Sequence, residues 1–146
     1  MINFAQITAG LMLIMAPLFA HAETINVEVQ SIMVNRGGNV MVLLFTEKGF
    51  PIEHNQAVAV HTRPATAEQL KFKFKKPPFE YIAFKVLHDE DENKKVTKNW
   101  TGIWPKEGLG FSNDQQMGGL GPPDFDAAKL AVANIVESVN LTITYP

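Results

Sequence analysis

Residues able to do chemistry concentrate in one stretch, His88 to Ala127, which opens with His88-Asp89-Glu90-Asp91-Glu92-Asn93 and closes with Gly121-Pro122-Pro123-Asp124-Phe125-Asp126. Asp89, Asp91 and Asn93 stand at alternate positions. Oxygen ligands so spaced open a calcium loop of the EF-hand kind, where positions one, three and five converge on the ion. Two later positions break the match. Position six, which needs Gly for its turn, is Lys94, and position twelve, which needs a bidentate Glu, is Trp100. Calcium in another geometry stays open, with Thr97, Glu107 or a backbone carbonyl completing the shell. Zinc is a poorer fit, because the stretch offers one His and the chain no Cys. A plainer alternative has Asp89 and Asn93 capping turns through nearby amides while Glu90 and Glu92 face water.

Signals for catalysis are weaker. A carboxylate pair such as Asp89 with Glu107 suits the acid–base work of a glycosidase, but separation along the chain does not give distance in space. Ser112 lacks a G-x-S-x-G setting, and the adjacency of His88 and Asp89 does not make a triad. His88 suits a hydrogen-bonded strand end better than a general base. His54 and His61 fall outside the stretch and offer no ligand spacing. Trp100, Trp104 and Phe111 make either an exposed aromatic surface for a sugar or peptide or a cover over one end of the fold. The expectation is a binding surface without catalysis. Its ligand-contacting candidates are His88, Glu107, Phe111, Asn113, Trp100 and Trp104, and its metal candidates are Asp89, Asp91, Asn93 and Thr97.

The elements that must position these groups read as strands. Ile25, Val27 and Val29 alternate with Asn26, Glu28 and Gln30, the period of a half-buried strand. Asn35-Arg36-Gly37-Gly38 supplies a turn, and the apolar run Val40 to Phe45 predicts a central strand paired with the first as a hairpin. Ala57 to Thr62 is a further candidate. In Gln69 to Lys75, Leu70, Phe72 and Phe74 share one face and the lysines the other, where they blunt a sheet edge. From Tyr81 to Leu87, Ile82, Phe84 and Val86 form a row that His88 continues. Ala128 to Ala133 predicts a strand or short helix, and Val139 to Tyr145 alternates again. About seven short strands without a long helix or repeat predict an all-β, antiparallel β-sandwich, transthyretin-like or immunoglobulin-like, with a small barrel as the alternative. Tyr81 to Leu87 then delivers the acidic cluster to one end of the sandwich.

The 146 residues suit one domain with a single buried core. A formal net charge of −2 argues against nucleic-acid binding. In the longest basic run, Lys71 to Lys76, the phenylalanines alternate inward rather than forming a stacking platform. Ile7 to Ala20 is apolar apart from Thr8, and Ala20-His21-Ala22 has the small-x-small form of a signal-peptidase site. Residues 1–22 are therefore expected to be a signal peptide and residues 23–146 the mature domain, periplasmic or secreted. A retained anchor is the rival, but the apolar run falls short of the ~20 residues a spanning helix needs. The expected partner is an envelope or extracellular ligand. Without cysteine, the exported domain must rely on its core or on a bound ion.

The stretch Tyr81 to Ala128 also carries an ordered set of motifs. They are His88-Asp89, the acidic Asn-bearing loop, Pro105-Lys106-Glu107-Gly108, Gly110-Phe111-Ser112-Asn113 and Pro122-Pro123-x-Phe125-x-x-Ala128. Gly38-x-Val40, Leu44-Phe45 and Gly49-Phe50 precede them. Together they resemble the bacterial exported family known as domain of unknown function 2141. That resemblance implies a signal peptide and an Asp-x-Asn-x-Asn-Gly-like loop after the His-Asp pair. This chain departs from it at Asp91, Lys94 and Thr97, which weakens any calcium loop carried over, and the family brings no assigned activity.

Overall fold

A computed structural model describes residues 23–146, so the expected signal peptide over residues 1–22 lies outside the described residues. Among the described residues, eight strands form two facing sheets. One has three strands in the order β4-β1-β8, built from β1 (Thr24–Gln30), β4 (Leu70–Lys75) and β8 (Ser138–Thr142). The other has the order β3-β2-β5-β6, from β2 (Asn39–Phe45), β3 (Ala59–Pro64), β5 (Tyr81–Asp89) and β6 (Gly108–Phe111). A two-residue β7 (Leu130–Ala131) pairs with the start of β5. The architecture is an all-β sandwich, as the alternating segments imply.

Alternation selects the core. Ile25, Val27 and Val29 of β1 and Leu70, Phe72 and Phe74 of β4 point at Val40, Val42 and Leu44 of β2 and Ile82, Phe84 and Val86 of β5, and all are buried in one cluster. The β4 lysines Lys71, Lys73 and Lys75 are exposed on the edge strand, as their spacing predicts. Each large aliphatic side chain buried here stabilises the fold by about 1.5–3 kcal/mol.

Three expectations are corrected. β1 and β2 do not form a hairpin: β1 pairs with β4 and β8, and β2 pairs with β3 and β5. The Asn35-Arg36-Gly37-Gly38 turn instead carries the chain from one sheet to the other, and between them Val34–Arg36 forms a 3-10 turn. The sandwich is not wholly antiparallel, since β1 and β8 run parallel. The segment read as a strand or helix from Ala128 to Ala133 is neither throughout. It holds the end of a one-turn helix α1 (Phe125–Ala128), then β7, then a 3-10 turn at Val132–Asn134.

β6 lies inside the stretch that reads as loop. Its Gly108 and Gly110 face β8, where a Cβ on Gly110 would collide with the Thr142 carbonyl and one on Gly108 with Ile143 and Tyr145. The glycines therefore let the two sheets close at this end. On the opposite side of β6, Leu109 and Phe111 join Met41, Leu43 and Phe45 of β2 and Leu87 of β5 in a second buried cluster. The five-stranded sheet thus has two buried faces. One faces its partner sheet, and the other is roofed by Phe50, Ala57, Val96 and Met117 from the flanking loops.

Candidate functional site

The two faces of β5 part residues that are neighbours in sequence. His88 belongs to the Ile82, Phe84, Val86 row and is fully buried toward the partner sheet. Its Nε2 lies 2.6 Å from the Gly37 carbonyl and its Nδ1 2.6 Å from the Tyr145 hydroxyl. A carbonyl can only accept, so Nε2 carries the proton and Nδ1 accepts from Tyr145, whose oxygen accepts in turn from the Met33 amide at 2.9 Å. The ring is a satisfied structural group.

Asp89 points the other way, to the roofed face, and there meets Asp91 and Glu107. One oxygen from each lies within 4.8 Å of the others. Asp89 and Glu107 are buried and Asp91 is exposed. Backbone amides meet the buried pair. Asp89 Oδ1 accepts from Asn93 N and Oδ2 from Lys94 N at 2.8 Å. Glu107 accepts from Glu90 N at 2.9 Å and from Thr97 N at 2.8 Å. Asp91 accepts from the Thr97 hydroxyl at 2.7 Å and from Asn93. Burial pushes the Asp89 and Glu107 carboxyls up, against the pull of these amides, while the Thr97 hydroxyl draws Asp91 down.

The predicted metal candidates Asp89, Asp91, Asn93 and Thr97 are thus brought together, with Glu107 among them. Three carboxylates make a hard-oxygen donor set suited to calcium. Every one of their six oxygens already accepts a hydrogen bond from the loop. The cluster holds its own backbone in shape, and an ion would share those lone pairs. At the sixth position of the loop, Lys94 has φ 62°, the left-handed conformation for which that position ordinarily uses Gly.

The ligand-contacting candidates do not gather on one surface. His88 lies in the sandwich core and Glu107 in the acidic cluster. Phe111 is buried in the second core. Asn113 donates to the Ala127 carbonyl at 2.8 Å, pinning the loop beside α1. Trp100 and Trp104 sit on a hairpin tip closed by the Lys98–Pro105 bridge, with Trp100 96% exposed. Strand alternation explains the dispersal: a surface drawn through His88 and Asp89 together would need both faces of one strand.

The cavity of the roofed face joins Phe111 to residues that are not among the candidates above. A cleft of about 620 Å³ opens between the Pro51–Asn55 segment and the stretch from Lys94 to Pro122. Ile52, Val96, Ile103, Leu109, Phe111 and Met117 make its walls largely apolar. Lys85 also lines it, although its side chain stands among the apolar residues of β5 and only 4% of the residue is exposed. Its Nζ donates to the Pro51 carbonyl and to His54 Nε2, each at 2.8 Å. His54 in turn donates from Nδ1 to the Lys94 carbonyl at 3.2 Å. Burial pulls the Lys85 ammonium down to about 8, and burial followed by the Lys85 charge lowers His54.

Lys94 ties the two halves of this site. Its amide donates to Asp89 and its carbonyl accepts from His54, so the acidic loop fixes one wall of the cleft through a single peptide residue. The signal for this arrangement was a lone lysine in the middle of an apolar strand, Ile82-Ala83-Phe84-Lys85-Val86-Leu87. A charge in a strand apolar on both sides needs a partner or a purpose.

Fold and site together define a loop-roofed β-sandwich with a lysine-floored apolar cleft. The sequence profile of a family described as an uncharacterized protein conserved in bacteria, DUF2141, matches residues 27–140, and the chain belongs to that family. No curated protein and no solved structure matches it.

Proposed function

We propose that the protein is an exported, non-catalytic binding module of the bacterial cell envelope, periplasmic or secreted, and that its ligand occupies the cleft over the outer face of the five-stranded sheet. The observation that carries this is the cleft itself. It has the size of a small-molecule site, is walled by apolar side chains and has one buried charge at its floor. The catalytic candidates His88, Asp89 and Glu107 are committed elsewhere. Both nitrogens of His88 are engaged by the core, and the Asp89 and Glu107 carboxylates are engaged by loop amides. Export is supported by the Ala20-His21-Ala22 site after an apolar run. The test is saturable binding of Nile red, a neutral apolar dye. One mole per mole of protein is expected, with loss of binding in Met117→Trp, which fills the cleft from its wall. Dye binding that Met117→Trp leaves intact contradicts the assignment.

A second function, a calcium-stabilised domain, is favoured by the convergence of Asp89, Asp91 and Glu107 within 4.8 Å. An ion bound only by the folded state raises its melting temperature. Calcium against chelator is then expected to raise the melting temperature, and Asp89→Ala to remove the rise. A melt indifferent to calcium eliminates it.

A further inference from the structure

The cleft has a charge pattern as well as a shape. Four lysines line it, Lys85 at the floor and Lys94, Lys95 and Lys98 toward the mouth, against one carboxylate, Glu53. Lys85 has three N–H groups, of which two are donated to Pro51 and His54. Among the described residues, none accepts the third. The walls between floor and mouth are aliphatic and aromatic. Such a site rewards a molecule with one negative end and an apolar body. The body replaces water against Ile52, Ile103 and Met117, and the charge meets the one buried cation. A polyanion has no second buried partner, and a cation meets like charge at both floor and mouth.

We infer that the ligand is a small monocarboxylate with an apolar body, such as a medium-chain fatty acid, whose carboxylate accepts the free N–H of Lys85 at the cleft floor. This rests on the cleft being the ligand site. His54 acts as a positioning residue. Its Nε2 accepts from Nζ and its Nδ1 anchors to the Lys94 carbonyl, so the ammonium is held in place before a ligand arrives.

Displacement of Nile red from the purified protein at pH 7 by decanoate, decanol and decylamine tests this. Decanoate is expected to bind at least tenfold more tightly than decanol, and decylamine more weakly than either. In Lys85→Met the decanoate preference is expected to fall to parity while decanol binds as before. A tenfold preference that survives Lys85→Met would place the recognition on the lysines at the mouth and overturn the inference. So would decanol equal to decanoate in the unaltered protein, although cleft binding would then stand. Failure of Nile red itself to bind at the cleft would remove both. A measurement without substitution adds an independent check. Burial pulls the Lys85 ammonium down to about 8, so it loses its charge as pH rises from 7 to 9.5; the other charged or titratable groups facing the cleft are Glu53, His54, Lys94, Lys95 and Lys98. The preference for decanoate should decline toward parity across that range, and a constant preference contradicts the assignment to Lys85.

Discussion

At the scale of single residues, the protein separates two polar groups that a strand would otherwise set side by side. His88 is held by Gly37 and Tyr145 in the sandwich core, and each partner is satisfied. Tyr145→Phe removes the donor to Nδ1 and the acceptor for the Met33 amide. It is expected to lower stability by about 1–3 kcal/mol in a denaturant melt, the cost of leaving the buried His88 Nδ1 unpaired. Lys85 is the opposite case, a buried charge that costs stability. Its ammonium titrates near 8 in the folded protein against 10.5 ordinarily. Between those values the unfolded chain keeps a proton that the folded chain has released, so folding stability rises with pH across that window, by roughly 3 kcal/mol in full. Below pH 8 the whole penalty is present. Lys85→Met is therefore expected to stabilise the protein at pH 7 by about 1–3 kcal/mol and to flatten the rise from pH 8 to 10.5. A destabilised Lys85→Met would show that the ammonium's bonds to Pro51 and His54 outweigh its burial.

At the scale of elements, β5 organises the site by alternation. Its even-numbered residues build the sandwich core, and Lys85, Leu87 and Asp89 build the floor of the roofed face. The loop that follows crosses that face and is clamped at its start by Asp89 and at its return by Glu107. Within it Lys94 occupies a left-handed position that suits glycine. Lys94→Gly is expected to stabilise the domain by about 0.5–1 kcal/mol, because the relief from the left-handed penalty exceeds glycine's added chain entropy. A loss of stability instead would mean that the lysine side chain contributes more than its backbone costs. Much of this element was readable in sequence. The Ile82, Phe84, Val86 row, the lysine-edged β4 and the turn-capping use of Asp89 and Asn93 follow from period and residue type. β6 was not readable, because Gly-Leu-Gly-Phe has two positions without side chains, and what makes it a strand is close approach to β8. The β1–β8 parallel pairing was equally hidden, since it joins the two ends of the domain. The cleft was hidden for a related reason: Pro51, His54 and Lys85 belong to separate segments that only the loop's return brings together.

At the scale of the whole molecule, the roofed outer face is what distinguishes this sandwich. The five-stranded sheet is covered on both sides, once by its partner sheet and once by its own loops. The domain therefore has two cores, without a cysteine to cross-link either. No helix among the described residues is long and apolar enough to cross a membrane. The acidic loop, whose residue types suit a metal or catalytic site, supports the cleft wall, since Lys94 links Asp89 to His54. Under the proposed function, stability and binding are set against each other at Lys85, a buried cation whose removal is expected to stabilise the fold. The most direct measurement is an amide and lysine Nζ chemical-shift titration of the labelled protein with decanoate. The largest shifts are predicted at Lys85 Nζ, at Ile52 to Asn55 and at Lys94 to Val96. Shifts confined to the Trp100–Trp104 hairpin tip, with Lys85 unmoved, would contradict it.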